Sequence, residues 1–338
     1  KAKVTYKINV EEPYRINNIE YAVEDKDLVN NILAKTSNSY IKEGDIFSTE
    51  KFEKERERIT AYLKNSGYFA FNKDFVVYSV DSSLNSKKMN VRLTVKSPKL
   101  KVVDGDTLIY PKHIRYKISK IFIYPDFNPV VSDTLKKDTV LFSIPQFENR
   151  RKLNNYTFIC SNKMRIRPKT LSQSIFINTD SYFNLTDVEQ TYNRLSELKN
   201  FRFININFDE IAKDNNDTIK NCKNLLCNIE LSRNKVNSYS TEIEASNSSG
   251  YFGITGNILF QNRNFFKGAE IFNLRLKGVL DNQKINIYTS DKDRPLFNTY
   301  ETGIEVGFEI PKFLIPVPEE RFNKYFKPKT VISTGYHY

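Results

Sequence analysis

From Tyr239 onward the chain alternates apolar and polar residues with a period of two, run after run. Tyr239, Thr241, Ile243 and Ala245 share one side, and Ser240, Glu242, Glu244 and Ser246 the other. Successive side chains of a strand point to opposite faces, so this spacing predicts strands with one apolar and one polar face. A second run sets Phe252, Ile254, Ile258 and Phe260 against Gly253, Thr255 and Asn257, and a third sets Phe272, Leu274 and Leu276 against Asn273, Arg275 and Lys277. In a fourth, Tyr300, Thr302, Ile304, Val306, Phe308 and Ile310 oppose Glu301, Gly303, Glu305, Gly307 and Glu309; a fifth, 330–338, carries Ile332, Tyr336 and Tyr338 on one face. Each run has about the 9 to 11 residues that a tilted strand needs to cross a bilayer. The polar side holds glutamate, arginine and lysine, as suits a water-filled lumen, and the apolar side places tyrosine and phenylalanine near strand ends, as in aromatic girdles. A soluble antiparallel sandwich alternates in the same way. Five successive runs, separated by glycines and an Asn/Arg-rich turn, favour the wall of a transmembrane β-barrel.

The first two-thirds of the chain reads as one α+β unit written twice. The clearer copy opens with an extended run, 15–23, followed by a short helix near 27–34 and a longer one at about 50–65. Ser48 or Thr49 is placed to cap the longer helix, and Glu50 suits its first turn. Phe52, Ile59 and Leu63 supply its apolar stripe, and Gly67 its stop. Strands at 74–80 and 89–96 close the unit, the second with Met89, Val91, Leu93 and Val95 on a buried face. The other copy starts with 115–123 and resumes at Pro168, which suits a first helical turn carrying Leu171 and Ile175. A capping box, Thr186-Asp-Val-Glu189, announces its long helix. Val188, Tyr192, Leu195 and Leu198 form the expected stripe, and strands follow at 201–208 and 225–231.

The stretch between Tyr124 and Arg150, about 27 residues rich in Asp, Pro and Lys, exceeds an ordinary connection and is expected to be disordered or a partner contact. Residues 1–12 read as the end of a preceding unit, 13–98 as one complete unit, 99–235 as a second with the insertion near 124–150, and 236–338 as the beginning of the barrel. Five strands are fewer than the roughly eight with which barrels start, and an open sheet cannot rest in lipid with unpaired edges. The chain is therefore expected to be part of a longer protein.

Composition narrows the chemistry. No apolar run approaches the ~18 residues of a spanning helix. His113 and His337 are the only histidines and fall in different expected domains, so neither a histidine metal site nor a Ser/His/Asp arrangement has support. Gly253, Gly256 and Gly268 do not make a phosphate loop, and the Asp/Glu pairs read as solvated faces. No enzymatic activity, metal or cofactor is expected. Cys227 shares a strand face with Leu225, Ile229 and Leu231, as a small buried residue would; a bridge between Cys160 and Cys222 is possible without support from spacing. The 52 basic and 40 acidic residues give a net charge of +12. They are spread along the chain, so anionic lipid head groups or lipopolysaccharide are a more natural counterpart than nucleic acid.

The β-α-α-β-β unit resembles a POTRA domain. Such units ahead of a barrel make the whole chain resemble the BamA/TamA superfamily of outer-membrane assembly proteins. The resemblance rests on Glu55-Arg-Glu-Arg-Ile59, Leu63-Lys-Asn-Ser-Gly-Tyr-Phe69, Cys227-Asn-Ile-Glu-Leu231, Ser249-Gly-Tyr-Phe-Gly253, Asn262-Arg-Asn-Phe-Phe-Lys-Gly-Ala-Glu270 and Ile310-Pro-Lys-Phe-Leu-Ile-Pro316. It points most to the TamA-like branch of Bacteroidota, TamL. The implied fold is α+β POTRA repeats followed by the first antiparallel strands of a transmembrane β-barrel. Tyr239, Ser240, Thr241, Glu242, Ile243, Glu244, Ala245, Ser246 and Asn247 would form the barrel's first strand, whose edge pairs with client or partner strands. Asn262, Arg263, Asn264, Gly268 and Glu270 would form a family motif in the barrel. The resemblance further implies an outer-membrane location with the POTRA domains in the periplasm, outer-membrane proteins as clients, a TamB-like periplasm-spanning partner, and insertion or export without covalent chemistry. A BamA-type general insertase, a two-partner-secretion barrel and a passive barrel with periplasmic adaptor domains remain as alternatives, and residues 239–247 as a permanently paired wall strand is the plainest of them. The inward-folded loop with an Arg-Gly-Phe/Tyr motif, typical of the superfamily, would fall beyond Tyr338.

Overall fold

A computed structural model describes residues 12–33, 35–83, 86–98, 101–103, 107–109, 112–128, 138–145, 153–160, 164–211, 222–248, 251–282, 297–314 and 326–338. Residues 1–11, nearly all of the expected end of a preceding unit, lie outside them.

The first repeat runs β1 (Arg15–Val23), α1 (Lys26–Leu33), α2 (Thr49–Asn65), β2 (Val76–Asp81) and β3 (Lys88–Val95). Its sheet has the order β1-β3-β2, with β1 parallel and β2 antiparallel to β3. The alternation in β3 fills the core: Met89, Val91, Leu93 and Val95 are all buried, against Leu28 and Ile32 of α1 and Phe52, Ile59 and Leu63 of α2. The longer helix stops at Gly67, whose φ of +101° is open to glycine and strained for other residues. The Tyr68 N–H then reaches back to the Leu63 carbonyl at 3.1 Å. At the other end Ser48 stands at the N-cap position without a side-chain capping bond, and Glu50 instead accepts from Lys54, one turn on, at 2.6 Å. A small hairpin, β4 (Lys101–Val103) with β5 (Thr107–Ile109), lies in the connection that follows.

The second repeat runs β6 (Arg115–Tyr124), β7 (Asp138–Pro145), β8 (Leu153–Cys160), α3 (Pro168–Gln173), α4 (Leu185–Glu197), β9 (Phe201–Glu210) and β10 (Cys222–Arg233). Its sheet order is β7-β8-β6-β10-β9, and removing β7 and β8 leaves β6-β10-β9, the order of the first repeat. The internal duplication is thus topological as well as sequential.

Three expectations for this repeat are overturned. The stretch expected to be disordered contains β7, which pairs residue for residue with β8, and β8 lies parallel to β6. Tyr156, Phe158 and Cys160 of β8 point into the core with at most 2% exposure. This short alternation is hidden in the sequence by the charged residues around it. The remaining residues of the stretch, 129–137 and 146–150, lie outside those described. Secondly, α4 begins at Leu185, ahead of the expected cap. The Thr186 N–H is satisfied from another helix, by the Asn65 side-chain oxygen at 2.9 Å. Thirdly, Tyr192 is exposed, while Thr191, Arg194, Leu195 and Leu198 turn inward. None of the three cysteines forms a disulfide, so Cys160 and Cys222 are not bridged. Cys227 is fully buried in the row Leu225, Cys227, Ile229, Leu231, and burial pushes its thiol up.

Each of the five alternating runs is a strand: β11 (Asn237–Ser248), β12 (Tyr251–Asn262), β13 (Ile271–Asp281), β14 (Thr299–Ile310) and β15 (Thr330–His337). They pair antiparallel in sequence order as an open meander, with β11 and β15 at its two edges.

Candidate strand-pairing edge

The register of the meander stacks the alternation into rows. Thr241, Ile258, Leu276, Ile304 and Tyr336 stand side by side on one face. Glu242, Asn257, Lys277, Gly303 and His337 make a row on the other. The polar face is knitted by cross-strand pairs: Arg275 meets Glu305 at 3.4 Å and Lys277 meets Glu301 at 3.6 Å. His337 lies 3.3 Å from Glu301 and 3.5 Å from Glu305, its ring occupying space that a Cβ at Gly303 would fill. Leu259, Ile271, Val279 and Val331 are apolar residues on this side. On the opposite face Ile243, Tyr300 and Tyr336 are 77%, 68% and 67% exposed. A contiguous apolar face left uncovered in this way marks an interaction or membrane surface.

All nine residues predicted for the pairing strand, 239–247, lie in β11. This strand hydrogen-bonds to β12 alone among the described residues. Every second backbone N–H and C=O of an antiparallel strand points to the same side, so the outer side of β11 carries a row of donors and acceptors with which a further strand can pair. Its entry is fixed, because only residues 234–236 separate it from β10. The Asn234 N–H donates to the Asn200 carbonyl at 2.8 Å and the Arg263 N–H to the Val236 carbonyl at 2.9 Å. Tyr239 stacks on Phe260 with ring centroids 5.0 Å apart. Beyond that ring the strand offers mostly Ser, Thr, Glu and Asn, with Ile243 nearly bare.

The predicted motif at 262–270 is the β12–β13 turn, and its residues hold one another. The Glu270 carboxylate is buried and accepts the N–H groups of Phe266 at 3.1 Å and Gly268 at 2.8 Å. Gly268 is required because any side chain there would occupy the Glu270 carboxylate. The Asn264 side chain accepts from the Ala269 N–H at 3.2 Å and donates to the Arg165 carbonyl at 3.0 Å. Asn262 bonds Asn237 at 2.7 Å, tying the turn to the start of β11, while Arg263 donates to the Lys235 carbonyl at 3.1 Å. The motif therefore fixes where the edge strand begins.

A second tie was invisible in the sequence. Arg194 of α4, almost fully buried, donates through one nitrogen to the Pro311 carbonyl at 3.0 Å and the Pro328 carbonyl at 3.1 Å. Glu197 holds its other nitrogen at 3.1 Å and also takes Lys327 at 2.9 Å. An arginine in a charged helix gives no signal that it is inward. Thus the segment leading into α3 holds the β12–β13 turn and α4 holds the β14–β15 turn, and the two turns emerge at the same end of the sheet.

Other edges are partly closed. The start of β1 is covered by the 44–47 segment, through Ile16 N–H to Asp45 carbonyl and Phe47 N–H to Tyr14 carbonyl, both 2.9 Å. The equivalent segment, 180–183, covers the start of β6 in the same way. Strands β2 and β9 end their sheets. At the end of β9, Glu210 accepts from Lys223 at 2.6 Å, which holds its carboxyl below the usual range, and from the Tyr116 hydroxyl at 2.8 Å. His113 sits against Phe71 and Phe75, bonded to the Lys96 carbonyl, and His337 sits on the meander.

A duplicated α+β unit followed in the chain by a two-faced antiparallel meander is the class of fold these observations define. Residues 14–97, the first repeat, match the POTRA family model, described as surface antigen variable number repeat. No curated protein matches the chain. Among solved structures the chain is similar to BamA from Haemophilus ducreyi lacking POTRA domains 1-3, with 10% identity over 96% of this chain and 51% of that one and a TM-score of 0.42. It is also similar to CdiB from Acinetobacter baumannii, with 12% identity over 89% of this chain and 43% of that one and a TM-score of 0.35. For Haemophilus influenzae BamA POTRA3-5 the values are 13%, 64%, 61% and 0.36. The chain spans about half the length of the BamA and CdiB chains, 51% and 43%.

Proposed function

We propose that this protein is an outer-membrane assembly or export factor that pairs strands of client proteins at the outer edge of β11, with the POTRA-type repeats in the periplasm. The carrying observation is β11 itself: twelve residues of strand, anchored at its entry, paired with β12 alone among the described residues and bordering a face of exposed apolar rows. In hydrocarbon every unpaired backbone group costs several kcal/mol, so a client strand enters only with its partners supplied. An open edge supplies them without covalent chemistry. The ends of the repeat sheets, β2 and β9, offer the same chemistry in water to extended client or partner segments. Within this reading a TamL-type role, with a TamB-like periplasm-spanning partner, is supported by the sequence motifs quoted above. The alternatives, a BamA-type general insertase or a two-partner-secretion-type barrel, would use the same edge with other clients.

The test uses proline at neighbouring positions. Thr241→Pro and Glu242→Pro each remove one N–H, and adjacent N–H groups point to opposite sides. The variant that loses the N–H facing β12 weakens the meander; the other keeps it and lacks a donor for a client. The expected result is one variant that retains the folded sheet yet lowers the yield of assembled outer-membrane proteins. Native assembly by every folded variant contradicts the reading.

A further inference from the structure

We infer that the β12–β13 turn and the residues bonded to it form a binding site for the phosphate groups of anionic phospholipid at the membrane surface. The inference rests on the reading of the meander as membrane-crossing. Four hydrogen bonds gather five cations at this end of the sheet: Arg167 N–H to Lys267 carbonyl at 2.9 Å, Asn264 to Arg165 carbonyl at 3.0 Å, Arg263 side chain to Lys235 carbonyl at 3.1 Å, and Arg263 N–H to Val236 carbonyl at 2.9 Å. Arg165, Arg167, Lys235 and Lys267 are exposed, and among the described residues none of them is paired with a carboxylate. The one acid of the turn, Glu270, is buried and its carboxylate is taken up by the Phe266 and Gly268 N–H groups. Asp126 shares a small cavity with Arg165, and the four cations stand without an ion pair among the described residues in a segment that is otherwise rigidly bonded.

Immediately beside these cations the turn exposes two rings. Phe265 and Phe266 are 45% and 55% exposed, and they pack onto Phe272 and Phe308 of the apolar face with Phe265–Phe272 centroids 5.0 Å and Phe266–Phe308 centroids 6.2 Å apart. Bare aromatic rings at the end of an apolar face, followed outward by cations, match the order of a bilayer boundary: acyl chain, interface, phosphate. A soluble phosphate ligand explains the cations and leaves the exposed rings unexplained. An anionic lipid accounts for both.

The test is made on the full-length protein in nanodiscs of phosphatidylcholine with and without phosphatidylglycerol. Native mass spectrometry then counts the phosphatidylglycerol retained on extraction. Arg167→Gln and Lys267→Gln are each expected to weaken retention roughly fivefold, and the double variant about 25-fold, since each cation near an anionic surface contributes a comparable increment. In parallel Phe266→Trp places an indole where the chain has no tryptophan, and brominated acyl chains are expected to quench it in both lipid mixtures. Quenching together with cation-dependent retention supports the site. Quenching with retention that is unaffected by the glutamine substitutions overturns the site and leaves the membrane-crossing reading standing. Absence of quenching overturns that reading and the site with it.

Discussion

At the residue scale the first repeat hinges on groups whose roles the composition disguises. Glu55 lies in a run of charges that reads as a solvated helix face, yet its side chain has no exposed surface. It accepts two bonds from Arg58, at 2.7 and 2.8 Å, and one from the Tyr40 N–H at 2.9 Å. Removing one partner of a buried pair strands the other charge, so Glu55→Ala is expected to cost about 3–5 kcal/mol in a denaturant titration. Gly67 was legible, since a glycine after a helical stripe is a stop signal; what the sequence could not show is that a Cβ there would press on Tyr182 at 3.3 Å. Gly67→Ala is expected to destabilise by more than about 1 kcal/mol in the same measurement. Burial holds the His113 imidazole below the ordinary histidine value. The unfolded chain then takes up its proton first as pH falls, so this contribution to stability is intact above about pH 6.5 and is lost as pH drops from there toward the lower folded value. His113→Gln is expected to flatten that slope in melting curves taken across this range.

At the scale of elements the sequence was most legible where one rule governs. The five period-two runs became β11 to β15 in order, because a sheet with two different faces ties every residue to its side. The repeats were readable for the same reason, through β3 and β10. Legibility failed where a contact from elsewhere decides. α4 takes a side-chain acceptor from α2 in place of its own capping box, and β7 with β8 forms a hairpin inside a stretch whose charged composition resembles a loop. The Arg194 grip on Pro311 and Pro328 belongs to this second kind. Arg194→Ala leaves two carbonyls to find other donors, at about 1–3 kcal/mol each. Amide exchange at the start of β15 is therefore expected to quicken about tenfold or more in Arg194→Ala relative to the native chain.

At the scale of the whole molecule, the duplicated α+β unit and the two-faced meander were both written in the chain, while the way the meander is held was only half written. The motif at 262–270 was visible as a conspicuous Asn/Arg/Phe turn, and the structure makes it the anchor of the β11 entry. The proposed pairing edge rests on position: residues 239–247 are unremarkable in composition and border the sheet among the described residues. The measurement that tests this most directly places a photo-crosslinking residue at Ile243 of the full-length protein in cells, with the adducts identified by mass spectrometry. Adducts with nascent outer-membrane β-proteins are the expected result. Adducts confined to the protein's own strands would make β11 a closed wall and contradict the account.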